Sequence, residues 1–405
     1  MTPKSYKWEL LVLLWFAFFF NQADRQIFSI VIPLVRKDLS LTDAELGLIS
    51  SVLVWTYGLL VPFAGFIGDR FSKKKVIGIS LIFWSTATVF TGLCTSLFQF
   101  IALRGIATGG GEAFYAPSAN ALLSIHHKKT RSLALSLHQT AVYTGIVLSG
   151  FIAGYIAENY GWHSAFFSFG FLGILLALII FWRLKNDTIL LKPEPSSPFM
   201  ATLKEIVKKP TAILLTIGFA CMVFVNVGYL TWMPSFLTEK FNLSLTNAGF
   251  SSMFYHHAGA FGGVLLGGAI SDRFALKKPV SRLIIQACAL LAAAPFIYYL
   301  GTAETQTSMY IALFGFGIFR GIYDSNIFAS LYEVVRPQIR SSASGIMLMF
   351  AFLTGAFSPY LLGVLKPTLG LATGISWLWV SYFVGAISIS CAAMFFFKKD
   401  RIATV

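Results

Sequence analysis

Apolar runs of about twenty residues follow one another along the whole sequence with only short polar breaks, the length a helix needs to cross a hydrocarbon core of ~30 Å. Twelve such runs can be marked: 8–34, 46–68, 76–94, 98–124, 133–156 and 164–182, then 211–237, 248–270, 282–300, 307–332, 341–365 and 377–397. Backbone surrounded by lipid must satisfy its own hydrogen bonds, so runs of this kind fold as helices. With 56% apolar and 12% charged residues and a mean hydropathy of +0.73, a soluble globular chain is excluded.

The net charge of +14 would suit a nucleic-acid partner if it lay on one surface. It does not. With the N-terminus on the cytoplasmic side, 24 of the 31 Lys and Arg fall in cytoplasmic segments. Only Arg36, Lys37, Lys240 and Lys366 fall outside, and Arg25, Arg104 and Arg320 lie within runs. That bias orients a membrane chain. The expectation is a multi-pass protein of the cell membrane (the inner membrane, in a bacterium) with both termini cytoplasmic. Its surroundings are the lipid bilayer, no nucleic acid is a partner, and a monomer is expected. Cys94, Cys221, Cys288 and Cys391 sit in or at the ends of runs without paired spacing, as packing residues. His126 and His127 stand beside lysines with no further ligand, so no metal is expected. The first run passes through Asn21, Asp24 and Arg25 without a small-residue cleavage site and is expected to remain as the first helix.

A motif recurs at half the chain length. Gly65-Phe-Ile-Gly-Asp69-Arg70-Phe-Ser-Lys-Lys-Lys closes the second run, and Gly268-Ala-Ile-Ser-Asp272-Arg273 closes the eighth, with Asp69 and Asp272 203 positions apart. Two homologous halves follow: a bundle over 1–182, a Pro- and Ser-rich cytoplasmic linker over 183–210, and a bundle over 211–405. An ordinary cationic loop needs only the lysines and leaves the repeated Gly-x-x-x-Asp-Arg unexplained. The glycines predict close approach of a neighbouring helix. Asp69 and Asp272, with Arg70 and Arg273, are placed as gating residues that hold the cytoplasmic side closed while a site faces outward.

The repeated element resembles the loop between the second and third helices of the major facilitator superfamily and its echo between the eighth and ninth. The family usually has Gly where Ser72 stands here. The resemblance implies an all-α membrane fold of twelve transmembrane helices in two pseudo-symmetric six-helix halves. Tyr57 with Pro62 and Gly65 looks like the family's Tyr-x-x-x-x-Pro-x-x-Gly ending. Thr231-Trp-Met-Pro-Ser-Phe-Leu237 is similar to the Trp-Leu-Pro-x-Tyr-Leu of the anion/cation symporter branch, which includes sialin and the hexuronate and galactonate carriers. Asn21-x-x-Asp24-Arg25 fits that branch and also the spinster carriers.

Charges inside spans cost ~2.5–3.5 kcal/mol each on the lenient scale and mark substrate or ion pathways by default. Here they are Asp24, Arg25, Arg104, Glu112, Arg320 and Asp324. Guanidinium groups bind carboxylates bidentately, so Arg25 and Arg320, with Arg104, are the expected anion-holding groups. Tyr57, His138, Gln139 and Tyr143 join them from the first half, and Asn226, Tyr229, His256 and Asn326 from the second. Glu112 is expected to carry the proton, with Asp24 next and Asp324 third. Arg320 and Asp324 are i and i+4, so an internal ion pair is the plainer reading there. Arg104 and Glu112 stand eight apart rather than the family's seven. On an ideal helix that moves their offset from roughly 20° to roughly 80° unless a bulge or unwinding at Gly109, Gly110 and Gly111 absorbs one residue. The third run reads as packing scaffold.

The chain carries no His-Glu-x-x-His, Cys-x-x-Cys or phosphate loop, so it is not expected to be an enzyme. What the resemblance implies is a secondary carrier moving a small organic anion by alternating access. The substrate would be an acidic sugar such as a hexuronate, aldonate or sialic acid, driven by proton symport without a cofactor. A spinster-like carrier of lysolipids or other amphiphiles is the alternative.

Overall fold

The computed structural model describes residues 4–185, 199–275 and 278–402, and among these the regular structure is entirely helical. The chain forms two compact units. One holds 1–194 together with Met233–Met253; the other holds 195–232 and 254–405.

The first unit opens with α1 (Lys4–Leu39), α2 (Asp43–Arg70) and α3 (Lys73–Thr91). The turn after α1 is shorter than the sequence suggests, because α1 runs through Arg36 and Lys37 to Leu39. Ser40 then takes a positive φ of 51°. A capping box starts α2: the Thr42 hydroxyl accepts from Glu45 N, and the Glu45 carboxylate accepts from Thr42 N. The fourth span is composite, with α4 (Leu97–Phe100), a π-helix (Ile101–Thr108), α5 (Gly109–Ala113) and α6 (Tyr115–His126). Then come α7 (Arg131–Tyr160) and α8 (Trp162–Arg183), joined through Gly161 at φ 84°.

In the second unit a short helix, α9 (Phe199–Val207), precedes α10 (Pro210–Phe241), α11 (Leu245–Ala275) and α12 (Ser281–Thr302); the facing ends of α10 and α11 belong to the first unit. The tenth span is α13 (Gln306–Asp324) and α14 (Ile327–Tyr332), broken at Ser325 and Asn326. Next stand α15 (Arg340–Gly355), α16 (Phe357–Trp377), α17 (Trp379–Cys391) and α18 (Phe397–Asp400). The turn between the last two spans falls at Gly370, φ 75°, where a side chain would be strained. The final helix therefore begins earlier than residue 377.

Six helical stretches among the described residues are long and apolar enough to cross a membrane by length and composition alone, and Pro337–Asp400, one of them, holds two of the expected spans. The first span falls short on that measure because Asn21, Gln22, Asp24, Arg25 and Gln26 interrupt it.

Without a hydrophobic force between helices in lipid, small residues let backbones meet. A Cβ on Gly109 would fall 2.7 Å from the Leu53 carbonyl of α2, and one on Gly111 would fall 2.9 Å from Trp84 of α3. In the second unit Gly259, Gly263 and Gly267 of α11 meet the α13 backbone at Phe314, Ile318 and Ile322, and Gly317 and Gly321 of α13 meet α11. The close approach expected at Gly268 is not made, since a Cβ there would meet nothing within 4 Å. It occurs one residue earlier, at Gly267.

Candidate functional site

In the first unit the intramembrane charges come together. Arg25 Nε donates to Glu112 Oε2 at 2.6 Å, and the guanidinium lies over the Tyr57 ring at 4.0 Å. Arg104 Nη2 donates to the Arg25 carbonyl at 2.8 Å, and Asn21 Nδ2 reaches the Glu112 carbonyl at 3.4 Å. Both Arg104 and Glu112 thus point at the same stretch of α1. The π-helix explains how eight-residue spacing allows this, because each π turn takes up one residue more than an α turn. The bulge lies just before the glycines, and the Thr108 hydroxyl donates to the Leu103 carbonyl five residues back, at 3.0 Å.

Asp24 is fully buried, and both of its carboxylate oxygens lack a hydrogen-bond partner. The Trp84 indole and Thr88, both of α3, lie near it without hydrogen-bonding it, and the Thr88 hydroxyl donates to the Trp84 carbonyl at 3.0 Å. The third span is thus more than scaffold. Trp84 was missed because a tryptophan in an apolar run reads as core; the signal was the polar pair it makes with Thr88 at i, i+4. Arg25 Nη2 and Arg104 Nη1 are also buried without an acceptor. Two guanidinium donors and one unpaired carboxylate therefore meet within one buried cluster.

The second unit has its own cluster. Arg320 Nε lies 3.4 Å from Asp324 Oδ2, the i,i+4 pair of the plainer reading. Its Nη1 lies 2.8 Å from His256 Nε2. The Tyr229 ring of α10 stands 4.8 Å from the fully buried His256, with Phe316 at 4.5 Å. The glycine-lined approach of α11 and α13 brings His256 and Arg320 this close.

Other expected residues fall elsewhere. His138 is buried against Phe18 at 4.7 Å, with Nε2 3.0 Å from the Tyr115 hydroxyl, which donates to the Leu14 carbonyl at 2.5 Å. His138 therefore donates to Tyr115 and ties α7 to α6 and α1. Gln139 is exposed and Tyr143 half-buried on α7. Asn226 holds a buried Oδ1 without a partner on α10, and Asn326 bonds Ile322 and Ser325 at the break after α13.

Among the gating residues, Gly65 and Asp69 end α2, but their side chains lie outside the described residues. Arg70 and Arg273 are exposed. Asp272 pairs with Arg282 of α12 at 2.9 Å, a partner the motif alone did not supply. A cavity of about 470 Å³ lined by Tyr298, Thr302, Thr373 and Trp377 shares no residue with either charged cluster.

The chain is 28% identical to "Protein spinster homolog 1" of Xenopus tropicalis, over 99% of this chain and 83% of that one. It is 24% identical to the probable galactarate/D-glucarate transporter of Bacillus subtilis (95% of this chain, 90% of that one). The hexuronate transporter of Bacillus subtilis is 26% identical (91% and 90%). Among solved structures, a bacterial homologue of the human lysosomal transporter Spinster superposes with a TM-score of 0.84 at 22% identity, both chains fully covered. Relatives and fold are transporters, not enzymes, and the membrane is crossed many times. The family model of the Major Facilitator Superfamily matches residues 14–359, and the chain belongs to that family.

Proposed function

We propose that this transporter carries a small organic anion, an acidic sugar such as galactarate, D-glucarate or a hexuronate, together with a proton. The observation that carries the reading is the pair of unaccepted guanidinium nitrogens, Arg25 Nη2 and Arg104 Nη1, beside the unpaired carboxylate of Asp24. With both carboxylates ionised, Asp24, Arg25, Arg104 and Glu112 sum to zero charge. Protonating one carboxylate leaves +1, which one carboxylate of the anion neutralises. Proton and anion then favour each other's binding, and that is coupling.

Glu112 is committed to Arg25, so the proton falls more naturally to Asp24, reversing the order expected from sequence. Arg320 and Asp324 serve the same chemistry in the second unit. The carrier acts as a monomer of the cell membrane with both termini cytoplasmic, as two six-helix bundles in alternating access, and draws on the proton gradient without a cofactor. The names of the two Bacillus relatives support the substrate class. The spinster relatives support the other reading, a carrier of lysolipids or similar amphiphiles, equally well.

Uptake of labelled D-glucarate, galactarate, hexuronates and a lysolipid into proteoliposomes, with and without an inward proton gradient, separates the two. Gradient-stimulated uptake of a sugar acid is the expected result. Uptake of the lysolipid alone would overturn it.

A further inference from the structure

Arg320 imposes a proton inventory on its neighbour. A guanidinium has donors only and stays ionised at any working pH. The 2.8 Å contact from Arg320 Nη1 therefore requires His256 Nε2 to accept. His256 must then be a neutral imidazole with its proton on Nδ1, a buried atom without a hydrogen bond. Around the ring stand His257 of α11 itself at 5.0 Å, Tyr229 of α10, and Arg320 of α13 with Asp324 beyond it. Tyr382 of α17 packs on Phe316 at 5.7 Å and lies within electrostatic reach of Arg320. Asp324 is the one carboxylate in this set, and it is already shared with Arg320.

We propose that His256 is a proton site that switches Arg320 between two partners. A proton arriving on Nε2 takes the lone pair that holds Nη1 and places an imidazolium against a guanidinium. The contact breaks, Arg320 keeps only Asp324, and Nη1 is released with a second N–H donor beside it. An anion bound there accepts from both groups. Its binding favours protonation of His256, and protonation favours its binding by the same factor. This coupling rests on the anion-carrier reading above; the tautomer and its dependence on Arg320 do not.

The test is nitrogen NMR on the full-length protein in lipid nanodiscs with ¹⁵N-labelled histidine. The chain has six histidines, and the His256 signals are assigned by their loss in His256→Gln. In the unmodified protein at pH 8, His256 should show a protonated Nδ1 and an accepting Nε2. In Arg320→Gln its protonation should move to higher pH, because the cation that opposes it is gone. A protonated Nε2 at pH 8 would overturn the proposal without recourse to any variant, as would an unchanged titration in Arg320→Gln.

The coupling is read separately, by calorimetry with D-glucarate between pH 5.5 and 7.5. The slope of log Kd against pH should be smaller by about one proton in His256→Gln, whose carboxamide oxygen can accept from Nη1 but does not titrate. An equal slope removes the coupling. Absence of D-glucarate binding at every pH counts against the substrate reading and leaves the NMR result to decide the proton site.

Discussion

Each embedded charge in the first unit has a distinct situation. Glu112 is paired, Arg25 is paired on one edge and unaccepted on Nη2, and Asp24 is unpaired. Changes of equal size should therefore have unequal effects. Asp24→Asn should abolish accumulation driven by a proton gradient while leaving exchange of labelled for unlabelled substrate running, since it removes a proton carrier and no substrate contact. Glu112→Gln strands the Arg25 guanidinium and should destabilise the protein by ~3–5 kcal/mol, read as a fall in Tm. Gradient-driven accumulation kept in Asp24→Asn and lost in Glu112→Gln would return the proton to Glu112. These four charges were legible because an ionisable residue in a span is expensive enough to demand a role. Trp84 was not, since its indole became relevant only when α3 placed it against Asp24. The His256–Arg320 contact was equally hidden, because residues 64 positions apart are joined only by the packing of α11 on α13.

Among the helices, the fourth span shows what sequence spacing can and cannot say. The extra residue between Arg104 and Glu112 was visible, and so was the need for a bulge. It was expected at Gly109, Gly110 and Gly111, and it lies just before them. The glycines were the weaker backbone by propensity, yet the π-helix formed over Ile101–Thr108 and the glycines were spent on contacts with α2 and α3. The close approach near the end of α11 was likewise predicted at Gly268 and found at Gly267, since one residue turns the face by about 100°. A deletion separates the bulge from a plain helix. Removing Ala107 brings Arg104 and Glu112 to the seven-residue spacing and erases the π turn. In the bulged structure the two side chains stay on one face, so the deletion variant should fold and retain gradient-driven uptake. In an uninterrupted α-helix the same deletion would turn Arg104 by about 100° relative to Glu112, to the other side of it, and so change how the two meet α1. Loss of uptake with unchanged Tm would exclude the bulge as the device that aligns them.

For the molecule as a whole, fold class was the most legible feature, because lipid admits few backbone solutions. The repeated Gly-x-x-x-Asp-Arg element carried the resemblance to the family, and the match over 14–359 agrees. Substrate was the least legible, because one fold serves many cargoes and the short motifs fit two branches. Orientation is the property of the whole chain most open to a direct test. In a background without the four native cysteines, single cysteines at Lys37 and Lys240 should react with an impermeant maleimide in intact cells. Cysteines at Lys74 and Lys278 should react only after permeabilisation. Lys37 and Lys74 bracket α2, and Lys240 and Lys278 bracket α11, so each pair reports one crossing and the two pairs report equivalent crossings in the two repeats. If Lys74 and Lys278 both label from outside, the chain is inverted but the repeat stands. If only one of them does, the two halves do not share an orientation at these loops, and the repeat of Gly-x-x-x-Asp-Arg no longer marks equivalent cytoplasmic positions.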